Sequence, residues 1–355
     1  MLTFEEKDSV PLFIMTDDTG MIQHSVFSVP DPNSGYTTDD NARALIVAVM
    51  LYEKFKSEKY IKLIFTYTSF LLYAQNKRGT FKNFMAYNRN FIEEEGSEDC
   101  FGRCLWSLGY TLQSKIIPSS IKHAVENMIL KALPNVKSLS YTHSKAYCLL
   151  GLNLIYDELL ETSSTFKISK YTVKEDITTL SDSLVENFKC YSSDSWKWFE
   201  NSLTYGNGIF PWCLLKSSNA LNNREYLDIA LEALNFLEQQ CFKQDYFKPI
   251  GNNGWFKRND SHPCEFDEQP LEACGTALMY MEAYKLLKDT KYLDKAKLCY
   301  EWFLGKNSAK KSLVDNFTRG GMDGIMENKM NLNQGAESII AKILTELLLS
   351  KYIDF

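Results

Sequence analysis

Residues 35–55 read GYTTDDNARALIVAVMLYEKF: two adjacent carboxylates, an amide and an arginine, then a long apolar run. Carboxylates are ordinary at a helix start, where they suit free N–H groups and the positive end of the macrodipole. One such start says little about the fold. Its recurrence says much more. The same layout, a polar cluster feeding a helix rich in Ala, Gly, Leu and Cys, returns five times. It stands in GSEDCFGRCLWSLG (96–109), SYTHSKAYCLLGL (140–152), TYGNGIFPWCLL (204–215), EFDEQPLEACGTAL (265–278) and NQGAESIIAKIL (333–344). The starts lie roughly 45 to 70 residues apart, the period of a two-helix unit enlarged by insertions.

Apolar residues at i, i+3, i+4 and i+7 predict helices near 39–56, 58–76, 97–115, 119–133, 140–160, 173–189, 204–217, 224–241, 265–288, 291–305 and 334–352, with little strand pattern. The helices pair. Links within a pair are short and polar (KSEK, KIIPSS, LETSST, SSNALNN, LKDTK), whereas links between pairs are usually long (76–96, 190–203, 242–266 and 307–333). Loops beyond about 12–15 residues without structure of their own are uncommon and usually functional. Here each long loop leads into the first helix of a pair. The first helices suit burial on nearly all sides, and their partners, such as 57–77 and 222–240, are amphipathic. This predicts an all-α fold, an (α/α)6 toroid with six parallel inner helices, so that polar starts and long loops share one mouth. The alternative is an open superhelical array of helix pairs. Long insertions at every second junction favour the closed ring. Residues 1–355 are expected to form one domain. Residues 1–38 contribute to the mouth, and the N-terminal segment closes a ring whose last outer helix is incomplete.

The composition is that of an ordinary globular protein, 45% hydrophobic and 24% charged, with room for a large core. A net charge of -6, with no basic stripe, argues against nucleic acid as a partner. No run approaches a membrane span, and MLTFEEKDSVPLF lacks the features of a signal peptide. The expected location is the cytoplasm. Nine scattered cysteines without C-x-x-C read as free, mostly buried thiols. Neither H-x-x-H, H-E-x-x-H nor G-x-S-x-G occurs, so neither a metal nor a serine nucleophile is expected. TRGGMDGI (318–325) lacks phosphate-loop spacing, leaving Asp323 as a turn or site residue and implying no nucleotide. No cofactor is expected.

Capping needs one side chain, yet several starts carry two or three acids or amides. Like charges crowded together repel, which suggests a use beyond capping. Thr38 or Asp39 can serve as the first cap, freeing Asp40 to face the mouth. Helices about 8–10 Å apart in a six-membered ring leave axes roughly 16–20 Å apart across it. Inward carboxylates on opposite sides would then stand about 6–10 Å apart, and inverting glycoside hydrolysis needs about 6.5–9.5 Å. Around the ring Glu98 and Asp99 face Asp267 and Glu268, Asp40 faces Tyr205 and Asn207, and His143 faces Glu337. The expected catalytic dyad is one carboxyl from Glu98/Asp99 and one from Asp267/Glu268. Asp39, Asp40 and Arg43, with Tyr36 and Gln269, are expected to bind sugar hydroxyls. Trp196, Trp198, Glu200 and Trp255 lie in mouth loops, the tryptophans offering faces for sugar rings or anchors for the loops. His24, His143 and His262 fall near mouth segments.

Five motifs in order then resemble a known family: TDDTGMIQHSVFSVPDPNSGYTTDDNARAL (16–45), GSEDCFGRCLWSLG, WFENSLTYGNG (198–208), FDEQPLEA (266–273) and NQGAES (333–338). They look like a bacterial family of (α/α)6-toroid proteins related in fold to glycoside hydrolases. Members are often encoded beside, or fused to, glycosyltransferases and mannoside phosphorylases. The resemblance spans nearly the whole chain and implies the fold and a carbohydrate context, with such an enzyme as a possible partner, but no reaction. The chain departs from the pattern twice. Tyr205-Gly206-Asn207 stands where the family tends to Tyr-Asp-Asn, and Phe266-Asp267-Glu268-Gln269-Pro270 where it tends to Phe-Asp-Gln-Gln-Pro.

The leading expectation is therefore a glycoside hydrolase-like enzyme on a small oligosaccharide, such as one containing mannose, working by inversion with two carboxylates. The alternatives are a sugar epimerase or isomerase using His24, His143 or His262, and a non-catalytic saccharide-binding partner of a glycosyltransferase.

Overall fold

A computed structural model describes residues 4–161, 166–242 and 245–352. The short link expected at 160–165 falls largely outside them. Among the described residues there are twelve α-helices: α1 (Val10–Ile14), α2 (Thr38–Phe55), α3 (Glu58–Ala74), α4 (Glu98–Gln113), α5 (Ser119–Ala132), α6 (Thr142–Glu161), α7 (Lys170–Tyr191), α8 (Ile209–Leu221), α9 (Arg224–Cys241), α10 (Pro270–Leu287), α11 (Thr290–Phe303) and α12 (Ala336–Leu349). Helices α2, α4, α6, α8, α10 and α12 contact one another in that order, and α12 returns to α2. Each of α3, α5, α7, α9 and α11 backs the inner helix before it. This is a closed (α/α)6 toroid.

Burial follows the layers. In α2 every residue from Asn41 to Leu51 is buried, whereas α3 buries a stripe that includes Tyr60, Ile64, Tyr67 and Leu71. The inner helices approach backbone to backbone where glycine permits it. A Cβ on Gly109 of α4 would sit 2.6 Å from the Gly151 carbonyl of α6, so neither position tolerates a side chain without separating the two helices. Short α1 lies where the outer layer lacks a sixth long helix. It packs on α12, and the flanking Ser9 and Thr16 hydroxyls meet Tyr60 and Tyr67 of α3 at 2.9 and 2.7 Å.

Two inner helices begin about a turn later than periodicity predicts. Pro270 occupies the first turn of α10, as its fixed φ favours. The polar residues before it run extended instead, with Glu268 and Ile325 exchanging backbone hydrogen bonds of 2.9 and 3.0 Å. Before α8, Gly206 takes φ +58°, outside the helical region. Among the described residues the mouth loops also carry four two-residue antiparallel ribbons: 25–26 with 29–30, 36–37 with 84–85, 202–203 with 256–257, and 324–325 with 330–331. Strands of two residues are too short to show an alternating pattern.

Candidate functional site

The N-termini of α2, α10 and α12 open onto a cavity of about 320 Å³. Asp39, Asp40 and Arg43 line it from α2, Glu337 and Ser338 from α12. The N-terminal segment adds Gln23 and His24, the loop after α3 adds Asn83 and Phe84, and Gln269 and Pro270 enter at the start of α10. Asp323 and Asn331 come from the hairpin before α12. The lining is rich in carboxylates.

Its centre is Arg43. The guanidinium donates to Asp40 Oδ1 at 2.7 Å and to Glu337 Oε2 at 2.8 Å. Thr37, not Thr38 or Asp39, caps α2: its hydroxyl accepts from the Asp40 N–H at 3.3 Å and donates to Asp40 Oδ2 at 2.5 Å. Asp40 thus has both oxygens occupied and only 7% of its side chain exposed, whereas Glu337 keeps 39% exposed. Asp323 accepts through Oδ1 from the Gly335 N–H (2.8 Å) and the Ser338 hydroxyl (2.7 Å).

A belt of polar contacts continues around the ring. Asp39 pairs with Arg103 of α4, whose guanidinium also reaches Tyr147 Oη at 3.3 Å and Asp99 at 4.0 Å. Asp99 accepts from Ser144 of α6 (2.5 Å) and from the Tyr205 hydroxyl (2.8 Å). The His143 ring stacks on Tyr205 at 4.2 Å, with Nε2 at 2.7 Å from the Tyr205 carbonyl. Glu272 of α10 completes the belt by accepting from the Gly206 and Asn207 N–H groups and the Asn207 amide.

Adjacent Asp39 and Asp40 differ in proton affinity. Burial would raise Asp39, but the Arg103 and Arg43 charges outweigh it and hold the carboxyl below its ordinary range. Burial and then the Asp39 charge push Asp40 up to about 7, against the pull of Arg43. Burial likewise lifts Glu272 to about 7 despite its hydrogen bonds, and pushes His143 down against the charges of Glu200 and Asp99. Two neighbouring carboxyls, one ionised and one carrying a proton near neutrality, are the requirement for acid–base work by a pair of acids.

The residues expected from sequence divide. His24, Asp39, Asp40, Arg43, Gln269, Asp323 and Glu337 meet at the cavity. The four acids expected to supply the dyad do not line it. Glu98 braces the turn just before α6, accepting from the Ser140 and Tyr141 N–H groups at 2.8 and 3.0 Å and from the Ser140 hydroxyl. Glu268 is fully buried between the Trp302 indole (2.7 Å) and the Ser308 hydroxyl. Asp99 is engaged in the belt, and half-buried Asp267 lies on the extended segment before α10. Tyr36 is buried and donates to Asp17 at 2.6 Å. Trp196 and Trp198 are core residues, 3% and 0% exposed, with no face left for a sugar. The Glu200 carbonyl accepts the Trp196 indole N–H at 2.7 Å. Half-exposed Trp255 donates to Asn252 at 2.9 Å, and His262 is exposed, both away from the cavity lining. His143, Tyr205 and Asn207 serve the belt.

Thr37, Asn83, Phe84, Arg103 and Glu272 were not expected. Arg103 carried a faint signal, standing four residues after Asp99 on an inner helix. So did Glu272, a carboxylate inside an apolar helical run. Among the described residues there is no group of three or more metal-ligating side chains, and no helix is long and apolar enough to cross a membrane.

No protein-family model matches the chain, and no curated protein is detectably similar to it in sequence. Solved structures are similar in shape. A sugar epimerase from a ruminal bacterium aligns at TM-score 0.72 with 11% identity, over 98% of this chain and 97% of that one. Cellobiose 2-epimerase from Bacillus thermoamylovorans gives 0.71 with 12% identity, over 95% of each chain. The GH76 α-mannanase of Bacteroides thetaiotaomicron gives 0.65 with 12% identity, over 98% and 94%. The fold is shared. At these identities the likeness carries the toroid and no more.

Proposed function

We propose that the chain is a glycoside hydrolase-like enzyme acting on a small, neutral oligosaccharide at the Arg43 cavity, by inversion with two carboxylates. The observation that carries this is the pair of carboxylates on the Arg43 guanidinium at the cavity wall: Asp40, buried and lifted to about 7, and Glu337, the more exposed of the two. Asp40 is the general acid that protonates the leaving oxygen, the proton standing on Oδ2 once the Thr37 hydroxyl that donates there turns away. Glu337, the more exposed carboxylate on the same guanidinium, is the base that activates water. Arg43 holds both in place. His24, Asn83, Gln269 and Asp323 bind hydroxyls, since each lines the cavity and carries hydrogen-bonding atoms. The lining excess of acids disfavours anionic sugars.

The fold relatives named as epimerases and as an α-mannanase both favour a sugar substrate, and the latter favours mannosides. A histidine-pair epimerase has less support here. Of the four histidines only His24 lines the cavity, while His143 is buried with its Nε2 on a carbonyl. The experiment is a product-detecting chromatographic screen of short manno- and gluco-oligosaccharides with wild type, Asp40→Asn and Glu337→Gln. Shorter saccharides formed by wild type and lost in both variants support the proposal. Turnover of any saccharide at wild-type rate by the variants refutes it.

A further inference from the structure

The loop tryptophans expected to stack on sugar do not line the cavity, and among the described residues Phe84 is its only lining Phe, Tyr or Trp. The ring is 42% exposed, and it takes part in no ring-stacking or cation–π pair among the described residues. What sets it apart from other exposed hydrophobics is its place in the wall of the polar cavity.

Its backbone is held firmly. The Phe84 N–H donates to Glu93 Oε1 at 2.9 Å, and its carbonyl accepts from the Ile92 N–H at 3.0 Å. Phe84 lies directly opposite Thr37 in the ribbon of 36–37 with 84–85. Opposed residues of an antiparallel pair put their side chains on one face, with Cβ atoms about 4.5–5.5 Å apart. The Thr37 hydroxyl is the group that donates to Asp40 Oδ2 at 2.5 Å. The ribbon therefore sets an apolar ring one side chain away from the proposed acid.

We propose that Phe84 is the stacking platform of a saccharide subsite, binding the pyranose on the leaving-group side of the bond that Asp40 protonates. This rests on the hydrolase reading for the role of Asp40, while the platform itself needs only that a saccharide binds. A pyranose presents a face of C–H groups that covers an aromatic ring, while its equatorial hydroxyls stay in the polar cavity. The platform is thus selective for substrates with a second sugar over a monosaccharide or a small alkyl glycoside.

The test is calorimetric titration of short manno- and gluco-oligosaccharides into Glu337→Gln protein, alone and combined with Phe84→Ala or Phe84→Trp, with thermal melts confirming folding. The platform predicts that Phe84→Ala weakens oligosaccharide affinity about tenfold, a change of about 1.4 kcal/mol. Phe84→Trp retains the affinity, and monosaccharide binding is unchanged by either. In the wild-type background the Phe84→Ala effect falls on KM with kcat kept. Equal oligosaccharide affinity with and without the ring overturns the platform and leaves the hydrolase reading standing. Binding of no saccharide in the panel overturns both.

Discussion

Replacing Asp40 by asparagine isolates its proton chemistry. Burial, then the Asp39 charge, move its carboxyl from 3.8 to about 7 while Arg43 opposes them. A carboxyl that holds its proton more tightly in the native chain than in the unfolded one stabilises the fold at low pH. That contribution is complete below about pH 4, fades as pH rises and is gone above about pH 7. Three units at 1.36 kcal/mol each make a loss of about 4 kcal/mol across this window in wild type. The Asp40→Asn protein has no such proton to lose, so its stability relative to wild type rises by the same amount between pH 4 and 8. For 355 residues the unfolding entropy is about 0.7 kcal/mol/K, which makes the change about 5–6 °C in Tm. Glu272 titrates in the same window but is present in both proteins and cancels. Paired thermal melts by circular dichroism from pH 4 to 8.5 read the difference directly. A Tm difference that stays flat with pH would refute the reasoning, because it would mean that Arg43 keeps Asp40 ionised throughout.

Arg103→Met leaves Asp39 buried without its main partner and is expected to cost about 3–5 kcal/mol in urea denaturation. Adding Asp39→Asn to that chain should recover most of the loss. Glu98→Gln weakens the hydrogen bonds that hold the turn before α6 and should cost about 1 kcal/mol, with turnover unchanged. Loss of activity without loss of stability would return Glu98 to the catalytic role first expected of it.

The fold was legible because it is written in repetition. Six polar helix starts, buried inner helices and amphipathic partners all point to one ring, and eleven long helices fall near their expected spans. Part of the cavity lining was legible for the same reason: Asp39 and Asp40 stand in the first turn of α2, Arg43 in its second, and Glu337 in the first turn of α12. Helical periodicity also misled. It placed Asp267 and Glu268 in the first turn of an inner helix, whereas Pro270 starts the helix after them and the extended segment turns Glu268 toward Trp302. Glu98 shows the limit of counting acids at a helix start. The surplus carboxylate holds the turn that leads into a neighbouring helix, a use visible only when the helices are brought together. The tryptophans of DSWKWFE looked like loop aromatics because no local pattern reveals that the loop folds onto the α9 side, where Trp196 meets Phe236 at 5.2 Å. Phe84 carried no signal at all, since its meaning comes from a two-residue ribbon with Thr37.

The most direct measurement follows the proton NMR spectrum of the best-cleaved oligosaccharide as a function of pH, with wild type, Asp40→Asn and Glu337→Gln. The first-formed product should have inverted anomeric configuration. The rate should fall on the alkaline side with an apparent pKa of about 7, and each variant should lose about 10²–10⁴-fold in kcat. An epimer or ketose of unchanged length, still formed by both variants and lost on His24→Ala, would contradict the account.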